Sequence, residues 1–393
     1  MKLAQRMSRL GTETAFDVLV RAKALEAQGR DIVHLEIGEP DFDTPSNIIE
    51  AACKALRSGY THYGPAAGLP QLREVIAADI SQSRNIQVNA NNVVVTPGGK
   101  PIMFYVIMAL ADEGDEVIYP NPGFPIYESM INFMGAKPVP LALREENEFR
   151  VDLDELREKA SPRTKLIIIN SPHNPCGSVL TKEDLKAIAE VAVKNDIMVL
   201  SDEIYGRTIY EAKFESITQF PGMLERTIIL DGFSKTYAMT GWRMGYGVMP
   251  EPLAAQIAKL MTNSNSCTAS FTQMAGVEAI TGPQEESHKM VKAFQERRDI
   301  IVKGLNQIPG ITCLLPKGAF YVFPNVKQVV KKGKFANTKA FADHLLSEGG
   351  VAALSGTAFG QYGEGYMRFS YANSIPNINK ALSRIADTVA KLH

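Results

Sequence analysis

Short apolar runs rich in valine and isoleucine recur along the chain, separated by longer stretches whose hydrophobic positions repeat at helical spacing. The runs predict strands at 92–96 (NVVVT), 115–119 (DEVIY), 137–141 (KPVPL), 165–170 (KLIIIN), 197–201 (IMVLS), 226–231 (RTIILD) and 243–248 (RMGYGV). Helical spacing predicts helices over 99–111, 124–134, 181–194 and 251–262. Strands that are apolar on both sides and alternate with helices pack as a mostly parallel sheet covered on both faces. The 181–194 segment carries the plainest helix signal. Thr181 is placed to cap it, Glu183 and Asp184 suit its first turn, and Leu185, Ile188, Ala189 and Ala192 make a buried stripe. Residues 264–303 read as helix broken near Gly282-Pro283, the second half long enough to cross between domains. Beyond it the pattern changes to short strands in ITCLLPKGAFYVFPNV, a helix over 337–347, a strand over 366–371 and a closing helix over 376–391. The expected fold class is α/β: a large domain on a mostly parallel seven-stranded sheet flanked by helices, plus a smaller α+β domain.

Composition narrows the function classes. A chain of 393 residues is long enough for two cores. Its 42 basic residues are matched by 43 acidic ones, so no domain-scale positive field points to nucleic acid or an acidic membrane. Cys53, Cys176, Cys267 and Cys313 are far apart and form no CxxC pair, which argues against a disulfide framework or a metal site. The opening MKLAQRMSRLGTETAFDVL lacks a signal-peptide core, and no apolar run approaches the roughly 18 residues of a membrane span. A cytoplasmic protein is expected.

Candidate chemistry lies just past the predicted strands, where ligands gather in open parallel sheets. Gly98-Gly99-Lys100 follows the first strand and opens a helix, a combination that brings backbone N–H groups to an anion, although most such pairs are only turns. Asn170-Ser171-Pro172-His173-Asn174-Pro175 follows the fourth strand as a rigid loop able to aim Asn174 at a crevice. Asp202-Glu203 follows the fifth, either as a helix cap or as partner to a protonated ring nitrogen. Ser234-Lys235 follows the sixth: a lysine at such a place is either solvated or a buried amine suited to imine formation. Arg243, beside the only tryptophan, suits a phosphate or a solvated strand end. Together these supply an amine, a carboxylate, an amide and two phosphate-binding elements at one end of one sheet. No GxGxxG opens a βαβ unit and no GxxxxGK[ST] is present, which leaves nicotinamide and nucleotide chemistry without its usual loop.

In order and spacing, HLEIGEPDFDTP, THYGPAAGLPQLRE, NSPHNPCG, SDEIY, SKTYAMTGWRMGY and MRFSYA span nearly the whole chain. On these motifs the sequence resembles the fold-type I, class I and II aminotransferases, in the branch around the bacterial aspartate aminotransferases. The resemblance implies pyridoxal 5′-phosphate as cofactor and transfer of an amino group from an L-amino acid, aspartate favoured, to a 2-oxo acid such as 2-oxoglutarate. Lys235 is then the residue that bonds the cofactor aldehyde and shuttles a proton, and Asp202 the partner of the ring nitrogen. Asn174 and Tyr205 hydrogen-bond the ring oxygen and Phe124 stacks on the ring. Gly99, Lys100, Ser234 and Arg243 hold the phosphate, with Tyr63 reaching across the interface of a homodimer whose active sites are shared. Arg368 clamps the substrate α-carboxylate, Gly38 adds a backbone contact, Asn174 lies beside the substrate, and Lys100 meets a distal carboxylate. With the pattern above, the resemblance implies a large domain over 45–290 and a small discontinuous one from 1–44 and 291–393.

Substrate choice is more open than reaction class. GGKPIM replaces the commoner GGKQAL, and phenylalanine rather than a bulkier aromatic occupies position 124, so alanine, aromatic and other non-acidic donors stay in view. The same equipment serves β-lyases and decarboxylating carbon–carbon bond-forming enzymes, which need no 2-oxo acid acceptor. A regulator built on this fold would commonly add a DNA-binding domain, and the catalytic pattern here begins almost at once.

Overall fold

Residues 1–392 are described by a computed structural model. All seven expected strands form and share one sheet: β1 (Val93–Thr96), β2 (Glu116–Asn121), β3 (Lys137–Ala142), β4 (Thr164–Asn170), β5 (Met198–Asp202), β6 (Thr227–Gly232) and β7 (Gly245–Val248). Their order is β1-β7-β6-β5-β4-β2-β3, with β7 antiparallel to both neighbours and every other pair parallel. Because β7 runs backwards, its first residues lie at the edge where the parallel strands finish.

Strand alternation explains why both faces are apolar. Leu166 and Ile168 of β4 enter one core with Ile102, Val106, Leu200 and Ile257, beneath the helices Lys100–Leu110 and Glu251–Ser264. Ile167 and Ile169 enter the opposite core with Leu185, Ile188 and Val199, beneath the helix Lys182–Lys194. Burying each such side chain contributes about 1.5–3 kcal/mol, and Ile168→Ala would cost roughly 2–5 kcal/mol by leaving a cavity. The 182–194 helix starts as its sequence predicts. Thr181 Oγ1 accepts from the Asp184 N–H at 3.2 Å while Asp184 accepts from the Thr181 N–H at 2.8 Å, a reciprocal cap.

Another core joins the C-terminal elements to a piece of the N-terminal segment. Phe294, Ile301 and Leu305 of the helix Glu285–Asn306 meet Phe320, Val322, Phe341, Phe369, Ile378 and Ile385, together with Val33 and Leu35. The short strand Val33–His34 pairs with Val351–Ala352, and Leu354–Ser355, Met367–Ser370 and Tyr321–Val322 form a three-stranded sheet. The expected break near Gly282 falls between the helices Ser270–Thr281 and Glu285–Asn306. One element begins later than expected: Arg243 follows a short 3₁₀ turn over Thr240–Trp242 in left-handed conformation (φ +51°), and β7 starts at Gly245. Among the described residues no helix is long and apolar enough to cross a membrane.

Candidate active site

At the carboxyl ends of β1, β4, β5 and β6 a cavity of about 530 Å³ opens between the sheet edge and the C-terminal elements. Gly38, Gly99, Lys100, Phe124, Asn174, Asp202, Tyr205, Ser234, Lys235, Arg243 and Arg368 all line it, which leaves Tyr63 alone among the expected site residues outside the lining. Tyr63 is 90% exposed.

The floor comes from β5 and β6. Asp202, the last residue of β5, is buried, and its Oδ2 accepts from the Tyr127 hydroxyl at 2.6 Å while Oδ1 accepts from the Ile204 N–H at 3.3 Å. Burial raises the carboxyl to about 6, with the Tyr127 bond opposing the rise. Lys235 projects from the loop after β6, and its Nζ donates to the Gly38 carbonyl at 2.5 Å. Loss of hydration pushes the amine down to about 8, with Glu39 opposing the change and Arg368 assisting it. The amine is thus close to losing its proton at neutral pH, which a nucleophile and proton carrier requires.

One wall has the makings of an anion site. Gly98 adopts φ +89°, a conformation open to glycine, and a Cβ there would run into the Arg243 guanidinium. Gly99 precedes the helix Lys100–Leu110, whose N-terminal end borders the same space, and Pro101 fits its first turn. Arg243 Nη1 is steadied by the Thr240 carbonyl at 2.8 Å.

The opposite wall holds Arg368, buried on the strand Met367–Ser370. It donates to the Glu36 carbonyl and, at 3.2 Å, to Asn174 Oδ1. Its guanidinium lies over the rings of Tyr321 (4.5 Å) and Phe359 (4.9 Å), and its Nε is buried without a partner among the described residues. Asn174 is itself set by its N–H, which donates to Asn170 Oδ1 at 2.9 Å. The Tyr205 and Tyr321 hydroxyls share a hydrogen bond of 2.6 Å. Burial raises the phenols of Tyr127 and Tyr205, so both keep their protons at neutral pH.

Tyr127, Tyr321 and Glu13 are among the lining or supporting residues outside the expected set. Tyr127 and Tyr321 look like core aromatics in sequence, and only the fold reveals their hydroxyl partners. A Cβ at Gly38 would collide with the Tyr321 hydroxyl, which accounts for glycine in that motif. Glu13 belongs to the N-terminal segment that crosses the mouth. It is ion-paired with Lys100, whose ammonium also stands 5.6 Å from the Phe124 ring centre. The segment is pinned by reciprocal bonds between Gly11 and Ser129, at 2.9 and 3.0 Å.

Residues 30–385 match the family of aminotransferases class I and II. The chain is 43% identical to an aspartate aminotransferase of Pyrococcus horikoshii over 388 residues, covering 98% of this chain and 96% of the relative. A solved aspartate aminotransferase of Thermus thermophilus with maleate superposes with a TM-score of 0.93 at 37% identity, covering 99% of this chain and 100% of the other. An alanine aminotransferase of Pyrococcus furiosus gives 0.94 at 33% identity, with the same coverage.

Proposed function

The chain belongs to the aminotransferase class I and II family, and from that premise we propose that it moves an amino group from an L-amino acid, aspartate favoured, to a 2-oxo acid such as 2-oxoglutarate. It is a pyridoxal-phosphate-dependent aminotransferase. The single observation that carries the residue assignment is convergence: the Lys235 amine, the Asp202 carboxylate and the Arg368 guanidinium line one cavity.

The residues fit the cofactor. Asp202 is a buried carboxylate with no cation among the described residues hydrogen-bonded to it, and a protonated ring nitrogen would supply one. Gly98, Gly99, Ser234 and Arg243 offer the small backbone, hydroxyl and planar cation that a phosphate takes. Arg368 keeps one buried N–H free for a substrate carboxylate. When bound, the cofactor supplies an aldehyde that accepts the amino group and a ring that withdraws electrons from the donor's Cα–H bond. Arg368 and the Gly38 backbone orient the donor by its α-carboxylate. Lys235 Nζ, its basicity lowered by burial, would take the donor's Cα proton and deliver it to the cofactor carbon that had carried the aldehyde. Tyr205 and Asn174 would hold the cofactor's ring oxygen by hydrogen bonds, Phe124 would pack against the ring, and Asp202 would keep the ring nitrogen protonated. The donor leaves as a 2-oxo acid before the acceptor enters, so the kinetics are ping-pong.

Lys100 supports a dicarboxylic donor because its ammonium borders the cavity on the helix entry, and the Thermus relative is named with maleate, a dicarboxylate. The pairing of Lys100 with Glu13 favours a second reading in which alanine or aromatic donors are also accepted. A cytoplasmic homodimer completes the proposal, with Tyr63 reaching the partner's phosphate site, a role that its 90% exposure suits. So does a domain division into 45–290 and 1–44 with 291–393, supported by the separate apolar core around Phe294 and Phe320.

Two measurements test this. Pyridoxal phosphate added to the protein should give a lysine-dependent absorbance change that Lys235→Ala abolishes, and its persistence in the variant would overturn the assignment. A donor panel with 2-oxoglutarate, pyruvate and oxaloacetate should then give acceptor-dependent turnover. Release of pyruvate and ammonia without an acceptor would indicate a β-lyase instead.

A further inference from the structure

On the face of the sheet away from the cavity, β5 and β6 end in two more carboxylates. Asp202 pairs with Leu230 across the strands, and both line the cavity. Strand alternation turns the neighbouring Asp231 to the far side, where Glu203, next to Asp202, also points. Both are buried.

Arg84, buried at the end of the helix Pro70–Arg84, reaches both. It meets Glu203 Oε2 at 3.0 Å and Asp231 Oδ2 at 3.3 Å, and its guanidinium lies 4.9 Å from the centre of the Phe214 ring. Its carbonyl accepts from Gln219 Nε2 at 2.7 Å. Glu203 Oε1 accepts from the Ser201 and Ser216 hydroxyls at 3.0 and 2.8 Å. Asp231 accepts from its own following N–H, at Gly232, and from the Tyr246 hydroxyl at 3.3 Å. Nearby Arg207 is ion-paired with Asp79 at 2.5 Å, faces Tyr237 and Tyr246, and adds a second, more distant positive charge on the Asp231 side. Asp202 itself faces Tyr127 on the helix Ile126–Met134. One buried guanidinium therefore stands against two buried carboxylates directly behind the residue on which the proposed chemistry depends.

We infer that Arg84 is a positioning residue: by neutralising Glu203 and Asp231 from the far side of the sheet, it keeps the Asp202 carboxylate ionised and aimed into the cavity. The inference rests on the cofactor-partner role proposed above for Asp202. Buried like charges act on one another with little screening, so the charge of this cluster adds to burial in deciding how readily Asp202 takes a proton. A contribution to folding alone predicts something else, because it would weaken the site without regard to the sign of the charge removed.

The test uses Arg84→Met, Asp231→Asn and the double variant, in which net cluster charge returns to that of the unaltered protein. The dissociation constant for pyridoxal phosphate is followed against pH, affinity falling on the acid side as Asp202 is protonated. The midpoint of that fall should move up by about one pH unit in Arg84→Met, down by a similar amount in Asp231→Asn, and return close to its starting value in the double variant. Should Arg84→Met fail to fold, Asp231→Asn and the double variant decide the matter. Midpoints that stay fixed while affinity changes equally at every pH would overturn the inference. A readout without cofactor separates it from the functional reading: the Tm difference between each cofactor-free protein and its Asp202→Asn counterpart, against pH, should show the same displacements. Failure of the unaltered protein to bind pyridoxal phosphate would sink the cofactor role of Asp202. Unmoved Tm differences would sink the role of Arg84.

Discussion

Lys100 is ion-paired with Glu13 at the cavity mouth, so the cation expected to meet a substrate's distal carboxylate already holds one from its own chain. An acidic donor has to displace Glu13, whereas a neutral donor does not. Glu13→Gln should therefore raise kcat/KM for aspartate roughly two- to fivefold relative to alanine, the range of a partly exposed ion pair. Steady-state kinetics on the two donors measure the ratio, and an unchanged or lower ratio would remove Glu13 from substrate choice.

The reactivity of Lys235 should carry the imprint of its burial. Only the neutral amine attacks an aldehyde, and loss of hydration brings its pKa to about 8 from 10.5. The rate at which the cofactor-free protein captures pyridoxal phosphate should rise with pH and level off above about 8. Stopped-flow absorbance gives the profile, and a rise continuing toward 10.5, as for a solvated lysine, would contradict the described environment.

Asp202 should oppose stability while serving function. Its folded-state value, about 6, lies above the ordinary 3.8, so the folded protein binds this proton more tightly than the unfolded chain. The resulting penalty is absent below about pH 4, grows through the interval between the two values and is complete above about pH 6. Asp202→Asn should raise the Tm of the cofactor-free protein by roughly 2–4 °C at neutral pH, leave it unchanged near pH 4, and weaken cofactor binding. Scanning calorimetry at the two pH values checks the sign.

Arg368→Lys preserves charge but loses the planar fork that can engage a carboxylate through two N–H groups. With its stacking between Tyr321 and Phe359 also gone, kcat/KM should fall about 100-fold or more while cofactor affinity changes little. An equal loss of cofactor affinity would move Arg368 from substrate binding to scaffold.

Tyr321→Phe should keep the ring over Arg368 and remove the bond to Tyr205. A fall of roughly tenfold in kcat with little change in KM is expected for a group that steadies a neighbour's hydroxyl. The opposite split, in KM alone, would place its importance on the Arg368 side.

The sheet was legible because its strands are apolar on both faces and bounded by polar, glycine-bearing turns, as in KLIIIN before SPHNP. Lys235 and Asp202 were legible as rim residues for the same reason, since Asp202 closes such a run and Lys235 stands shortly beyond one. Arg243 was placed correctly at the edge but inside the strand. Its left-handed backbone, set by the Thr240–Trp242 turn, has no signature in an arginine. Tyr127, Tyr321, Glu13 and Arg84 were not legible as members of the site. Each acts through a partner distant in sequence, and a tyrosine in an apolar stripe shows its ring to any periodicity argument while its hydroxyl contributes nothing to the pattern.

The reversed direction of β7 places Lys235 and Arg243 on one short connection between adjacent strands, at the same rim of the sheet. On the function proposed above, covalent attachment and phosphate grip would thereby be carried by a single hairpin segment. Lengthening that segment would displace both together, whereas grafting it intact onto a related scaffold would transplant the two in their mutual geometry.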